Sequence, residues 1–395
     1  MPVSRIDIHN RRHRLELLLN KIKVQDIISK DNKKILLEYY DYLFSENLSI
    51  SRIEKVLQTL YTIAKQVKKP FNKMKYEDVI KLVSWINQND NWGDWTKADF
   101  KKIFKKFYWK YLKKMEEYPL EARRIKTTFT KNNHIVPEQL LTVEEITKIA
   151  GVTEKIRDRA LIYVLYESGT RIGELLNMRI GDCHFDKFGA MLDVTGKTGS
   201  RRVRIITSKQ VLLDWINHHP LKESDSPLWI NNQKKPLKYA ACVRILRKLF
   251  KLSGVRKKYN PHLFRHSRAT HLAKLKLNEA MLKKFFGWTD RSGMAAYYVH
   301  LAESDVDDAL LGLHGIEIKK EGKKLEKIFR VIVCPSCGKE HTPDVKICPC
   351  GMIFDRTLTK KRIAGDKILD QMLESPDFTM AFERRLKEMG YKKGG

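Results

Sequence analysis

The sequence predicts a mainly α protein whose second domain is α+β, with one small antiparallel sheet. Apolar residues recur at helical spacing through residues 10–120 and again beyond residue 141, and cap and stop signals bracket those runs. Strand-like alternation is concentrated around the glycine-bounded tetrapeptide Gly196-Lys197-Thr198-Gly199. At 395 residues the chain is long enough for two or three domains, each burying its own core.

Composition narrows the function classes before any motif is read. The chain has 77 Lys and Arg against 47 Asp and Glu, a net charge of +30. Self-repulsion on that scale works against a compact state unless a polyanion neutralises it, so nucleic acid is the expected partner. A hydrophobic fraction of 42% excludes a disordered chain. No apolar run reaches the roughly 18 residues of a membrane span. The N-terminus, with Arg5, Asp7, His9, Arg11 and Arg12, lacks the apolar core of a secretory signal. A cytoplasmic chain without a membrane partner is therefore expected. Six cysteines in so long a chain do not make a disulfide framework, and four of them cluster near the C-terminus, which suggests a metal.

In the N-terminal region, 1–125, helices are joined by short loops. The clearest spans 96–114, where Phe100, Ile103, Phe104, Phe107, Tyr108, Tyr111 and Leu112 form one apolar face. Opposite them Lys101, Lys102, Lys105, Lys106, Lys110, Lys113 and Lys114 form a face without an interleaved acid, which favours a surface that tracks phosphates. Periodicity fades after residue 121, and 126–140 reads as a linker. Thr142 with Glu145 three residues on is a capping box, so a new domain begins at about 141 and runs to about 315.

Within that domain a helix over 156–168 stops at Ser168-Gly169. Arg171 then opens the next helix with Glu174 one turn below. The segments AMLDVT and RRVRII form a hairpin with Lys197 at its tip. Further helices start at Thr207 and run over 238–252, the latter ending at Gly254. Asn260 caps a helix with Pro261 in its first position, and His262 and Arg265, three residues apart, leave the same face. An imidazole and a guanidinium over a helix N-terminus make a cradle for a phosphate. A second helix runs from Asn278 to the Phe285-Phe286 pair and stops at Gly287. A third, opened by Ser292, carries Tyr297 and Tyr298, the candidate reactive groups, toward His300.

Arg171, Lys197, His262-x-x-Arg265, Trp288 after Gly287, and Tyr298-Val299-His300 together resemble the catalytic domain of the tyrosine recombinases, the integrase family of site-specific DNA recombinases. The resemblance covers about 141–313, and Tyr-Val-His-Leu after Gly-Trp-Thr is similar to archaeal members. It implies that Arg171, Lys197, His262, Arg265, Trp288 and Tyr298 form the active site. Tyr298 would attack a phosphodiester and be held as a 3′-phosphotyrosine, with no ATP or metal needed there. Arg171 and Arg265 would clamp the phosphate, His262 would serve as base or phosphate ligand, and Lys197 would protonate the leaving 5′ oxygen. Trp288 departs from the more usual histidine: it offers an N–H but shuttles no proton. The resemblance further implies a helical core-binding domain over 1–125, double-stranded DNA as substrate, and a nucleoid-associated tetramer on two DNA sites. A type IB-like topoisomerase uses a similar residue set and stays an alternative, as does a catalytically silent DNA-binding protein of the same fold.

Toward the C-terminus, Cys334-x-x-Cys337 and Cys348-x-Cys350 over 328–356 look like a zinc ribbon holding one structural Zn²⁺, with the second pair one residue short and His341 as a spare ligand. So short a segment has too little core to fold without such a staple. Val306, Leu310 and Leu311 give 303–311 an apolar edge that the resemblance would pack on a neighbouring protomer. The tail, 357–395, reads as a weak amphipathic helix.

Overall fold

The apolar spacing of the first 114 residues is realised as helices. In a computed structural model of the chain, residues 6–114, 125–128, 137–196, 199–301 and 329–354 are described, with isolated positions elsewhere. They divide into two units, Met1–His134 and Ile135–Gly395. The first contains α1 (Arg11–Val24), α2 (Lys30–Ser45), α3 (Ile50–Gln66), α4 (Tyr76–Gln88) and α5 (Asp94–Lys106). Leu36, Leu57, Ile63, Phe104, Phe107 and Tyr108 are fully buried in its core. The buried Asn32 side chain accepts from the backbone N–H of Phe71 (2.8 Å) and donates to the carbonyl of Lys69 (3.3 Å), which ties a loop to α2 without an unpaired polar atom.

The helix expected over 96–114 changes character at its end. After Lys106 it widens into π-helix over Phe107–Leu112, and the Lys113 N–H reaches back five residues to Tyr108 (3.1 Å). This turn packs Phe107 (4.8 Å) and Tyr111 (4.6 Å) on the Tyr39 ring. The lysine face is also less uniform than its sequence. Lys101 is half-buried and donates to Asn87 Oδ1 (3.1 Å), and the Lys113 ammonium lies 5.3 Å from the Tyr108 ring, while Lys102, Lys106, Lys110 and Lys114 stay exposed.

The second unit is built on one helix. α6 (Val143–Gly151) starts at the Thr142–Glu145 capping box, both of whose hydrogen bonds form (3.2 and 2.8 Å). α7 (Ile156–Ser168) follows, and from Ala160 to Ser168 every residue is buried, so this helix has core on all sides. It ends at Gly169, in the left-handed region at φ 56°, where a Cβ would sit 2.4 Å from the Phe286 ring. Arg171 caps the short α8 (Ile172–Leu175). A three-stranded antiparallel sheet in the order β1 (Cys183–Asp186), β2 (Gly189–Gly196), β3 (Gly199–Ile205) comes next. Sequence periodicity gave only β2 and β3, because four residues of β1 are too few for a period to register. Ala190, Leu192, Val194, Val203 and Ile205 bury one face of this sheet.

The remaining helices are α9 (Lys209–Asn217), α10 (Tyr239–Ser253), α11 (Pro261–Lys274), α12 (Glu279–Phe286) and α13 (Met294–Leu301). A two-stranded pair, β4 (Ile332–Val333) and β5 (Glu340–His341), belongs to the cysteine segment. Residues 303–311 and the tail from 357, isolated positions apart, lie outside the described residues. Among the described residues no helix is long and apolar enough to cross a membrane.

The Glu167 carboxylate, near the end of α7, accepts from three successive backbone N–H groups beyond β3: Ile206 (2.8 Å), Thr207 (3.0 Å) and Ser208 (2.7 Å). Sheet and helix are thereby fixed to one another. Glu167→Ala should strand the Thr207 and Ser208 donors in a buried place and lower unfolding free energy by about 3 kcal/mol, since each lost buried partner costs about 1–3 kcal/mol. Urea unfolding followed by circular dichroism measures it; a loss below about 0.5 kcal/mol would contradict this role.

Candidate active site

Helix α11 begins as its sequence demands. Asn260 Oδ1 accepts the Leu263 N–H (2.9 Å) and Pro261 fills the first position. One face of its first turns then presents His262, Arg265 and His266. Arg265 is only 5% exposed. Its Nη1 donates to the carbonyl of Gly169 (2.7 Å) and its Nη2 to that of Phe286 (2.7 Å). These carbonyls stand at the C-terminal ends of α7 and α12, where the helix dipoles are negative. The guanidinium carbon also lies 5.0 Å from the Phe286 ring and 5.4 Å from the Trp288 ring. Burial, then the neighbouring Arg171 charge, lower its pKa to about 9.

Two further arginines converge on the same helix end. Arg171 Nη2 approaches the Gly287 carbonyl (3.4 Å) and Arg201 Nε donates to that of Phe285 (3.0 Å). Glu174 lies between them, accepting from Arg171 Nη1 (2.7 Å) and Arg201 Nη2 (2.8 Å). Burial works to raise the Glu174 pKa, but hydrogen bonds and charge from Arg201 and Arg171 outweigh it and hold the carboxyl below its ordinary value. The approach is close enough to require glycine twice. A Cβ at Gly287 would meet Arg201 Nη1 at 2.9 Å, and one at Gly196 would meet Glu174 Oε1 at 2.3 Å. Three guanidinium groups around one carboxylate leave a surplus of positive charge, the electrostatic requirement for a phosphate site.

Of the two tyrosines on α13, Tyr298 faces this cluster and is 1% exposed. Its ring stacks on Trp288 (centroids 5.5 Å apart, planes at 7°), and Trp288 stacks on Phe286 (4.8 Å, 22°). The phenol hydrogen-bonds to Nδ1 of His266, donating when that imidazole carries its proton on Nε2. Burial raises the Tyr298 pKa above that of an ordinary phenol, while the Arg265 charge acts to lower it. His262 is also held below its ordinary pKa, by burial and then by Arg265 and Arg171.

The structure thus brings together Arg171, His262, Arg265, Trp288 and Tyr298. Lys197 lies outside the described residues, although Gly196, which precedes it, touches Glu174. Sequence reasoning missed His266 and Arg201. His266 stands one turn from His262 on the same face. Arg201 shares the inward parity of Val203 and Ile205 on β3, which places a charged side chain on a buried face.

Cys334, Cys337, Cys348 and Cys350 also come together. Their four Sγ atoms lie within 4.8 Å of one another, with Cys334 to Cys350 at 3.6 Å and Cys337 to Cys348 at 3.5 Å. Four thiols this close suit the tetrahedral shell of a zinc ion, in which sulfurs ~2.3 Å from the metal sit a little under 4 Å apart. His341 Nε2 is 3.2 Å from Cys348 Sγ, positioned to hydrogen-bond that sulfur from outside the set of four.

Burial, then the charges of His262 and Arg265, lower the His266 pKa to about 4 from an ordinary 6.5. The unfolded chain therefore binds this proton from about pH 6.5 downward, whereas the folded chain resists it until near pH 4. The contribution is complete above pH 6.5 and is lost as pH falls through that window. Unfolding free energy measured against pH should fall less steeply there in His266→Gln than in the unaltered protein; equal slopes would contradict the lowered pKa of this half-buried imidazole.

Residues 139–305 match the phage integrase family. Tyrosine recombinase XerA of Pyrococcus furiosus is 31% identical over 47% of this chain and 64% of its own length. XerA of Pyrococcus horikoshii is 29% identical over the same shares. The chain thus spans about 64% of the length of these archaeal relatives. A tyrosine recombinase of Thermosipho africanus is 26% identical over 70% of this chain and 98% of its own length. Among solved structures, a XerH site-specific recombinase bound to palindromic difH substrate has a TM-score of 0.55 at 17% identity, covering 79% of this chain and 98% of its own. A lambda integrase dimer bound to a core site has a TM-score of 0.54 at 13% identity, covering 69% and 78%. The similarity to these structures is one of fold. The motif residues gathered at one site thus lie within the region, residues 139–305, that matches the phage integrase family and is similar to tyrosine recombinases.

Proposed function

We propose that this protein is a site-specific DNA recombinase that cuts and rejoins strands through a 3′-phosphotyrosine on Tyr298. The observation that carries the reading is the Tyr298 phenol, hydrogen-bonded to the His266 imidazole beside a surplus of guanidinium charge. A phosphodiester entering this cluster accepts hydrogen bonds from Arg171 and Arg265, with His262 and the Trp288 N–H at its edge. Its negative charge raises the pKa of His266, which then takes the phenolic proton. The Tyr298 oxygen attacks phosphorus as the bond to the 5′ oxygen breaks, and Lys197 supplies that oxygen with a proton. Rejoining runs the same steps backward from an incoming 5′ hydroxyl, so bond energy is conserved in the phosphotyrosine.

The net charge of +30 supports double-stranded DNA as substrate and a cytoplasmic, nucleoid-associated place of work. The helical unit ending at His134 would grip DNA with exposed lysines such as Lys102 and Lys106. Four protomers would act on two DNA sites, a reading supported by the fold shared with a lambda integrase tetramer bound to a Holliday junction. The relatives named as recombinases favour strand exchange over solitary topoisomerase relaxation. Cys334, Cys337, Cys348 and Cys350 would hold one structural Zn²⁺, which when bound ties the ends of their segment together.

On a nicked duplex that traps the intermediate, Tyr298→Phe should reduce the covalent protein–DNA adduct at least 1,000-fold while DNA affinity changes less than threefold. Tyr297→Phe should keep the adduct within tenfold of the unaltered protein. Denaturing gels of labelled DNA read both, and an adduct lost only in the Tyr297 variant would overturn the assignment.

A further inference from the structure

The cysteine segment contacts the catalytic fold through a buried polar joint. Asp344 Oδ1 accepts from the Tyr163 hydroxyl (2.6 Å) and from Thr342 Oγ1 (2.7 Å), and Asp344 Oδ2 lies 2.6 Å from Arg159 Nη2. The same Arg159 nitrogen donates to Thr342 Oγ1 (3.1 Å). Tyr163 is fully buried and the Asp344 side chain is 6% exposed, so water does not substitute readily for these partners. Alongside, the Phe329 ring packs edge-on to Tyr166 (5.0 Å) and 5.5 Å from Tyr163, and its carbonyl accepts from Thr207 Oγ1 (3.2 Å).

Arg159, Tyr163 and Tyr166 all belong to α7, the helix that ends at the Gly169 carbonyl bonded by Arg265 and leads into Arg171. From its last turn α7 also holds α11: the Tyr166 hydroxyl is 2.7 Å from His271 Nδ1, and the Glu167 carbonyl accepts from Arg268 Nε (3.1 Å). The same helix therefore carries both the cysteine segment and the helix of His262, Arg265 and His266. The loop that presents Asp344 has little to order it by itself. It follows the two-residue strand β5 and precedes Cys348, and among the described residues the segment's strand pairing is Ile332–His341, Val333–Glu340 and the isolated bridge Ile347–Ile353.

We propose that zinc at Cys334, Cys337, Cys348 and Cys350 acts as a brace for the active site: by fixing the loop at 342–344 it holds Asp344 on Arg159 and Tyr163. Helix α7, and with it the Gly169–Arg171 turn, is thereby held in place. The inference rests on the zinc reading above and assigns the metal site a task within this chain. DNA contact by the segment is not required.

The test uses the full chain in four forms: never exposed to chelator, stripped of zinc, Cys348→Ser, and Asp344→Asn. Metal content by plasma mass spectrometry is read first, then amide hydrogen exchange, then adduct formation on nicked DNA. The untreated protein and Asp344→Asn should each hold one zinc per chain. Stripping and Cys348→Ser should speed exchange across 156–168 at least tenfold, with residues 50–66 of the first unit unchanged, and restoring zinc should reverse the effect of stripping. Asp344→Asn should speed exchange over the same helix with zinc still bound, and slow adduct formation. Unchanged exchange in α7 after zinc loss overturns the proposal. If stripping unfolds the whole second unit, Asp344→Asn decides, and normal exchange in that variant overturns it. Untreated protein without zinc overturns the metal reading itself, and that result stands in the metal assay before any exchange is measured.

Discussion

Arg265 is a cation that the fold has withdrawn from water, and its two 2.7 Å hydrogen bonds run to the ends of two different helices. A buried guanidinium must have its donors satisfied and its charge offset, or the fold that contains it fails. Here the carbonyl ends of α7 and α12 do both, because unpaired carbonyls and the negative pole of each helix meet at the same point. The same bonds fix the distance between those helix ends. Phe286 then lies against Gly169 so closely that no side chain fits there, and the stack of Phe286, Trp288 and Tyr298 is built outward from that contact.

The charge arrangement follows from this core. Arg171 and Arg201 add two cations and Glu174 supplies one anion, so the cluster retains excess positive charge after its internal hydrogen bonds are made. The lowered pKa values of Arg265, His262 and His266 record that excess together with burial. On the proposed function, an arriving diester would relieve the repulsion among these groups, raise the affinity of the imidazoles for a proton, and so couple binding of the phosphate to removal of the proton from Tyr298. The two tyrosines differ in geometry: one residue turns a helix by about 100°, and it is Tyr298 that has its phenol on His266.

Local signals made most of the second unit legible. Thr142 and Asn260 cap the helices that they were expected to cap, Asn278 starts α12, Gly169, Gly254 and Gly287 end α7, α10 and α12 in the left-handed conformation, and the hairpin pairs Gly196 with Gly199. The motif residues His262, Arg265, Trp288 and Tyr298 were legible because their spacing is short or their types are distinctive. What escaped depends on partners far away in the chain. Arg201 acquires its role from Glu174 and Phe285, 27 and 84 residues distant, and Asp344 from Tyr163, 181 residues distant. His266 was passed over beside a better-known pair, and the π-helical turn at Phe107–Leu112 left no mark on the apolar spacing.

Arg265 joins two helix ends through its forked geometry, so that the site is assembled before any ligand arrives. Arg265→Lys retains the positive charge but cannot donate to the Gly169 and Phe286 carbonyls together at these positions. Its unfolding free energy in the absence of DNA, from urea titration, tests the claim most directly. A loss of about 1.5–3 kcal/mol, equivalent to the one hydrogen bond from a charged group that lysine cannot remake, is the expected result. Stability within about 0.5 kcal/mol of the unaltered protein would show that charge alone suffices and would contradict the account.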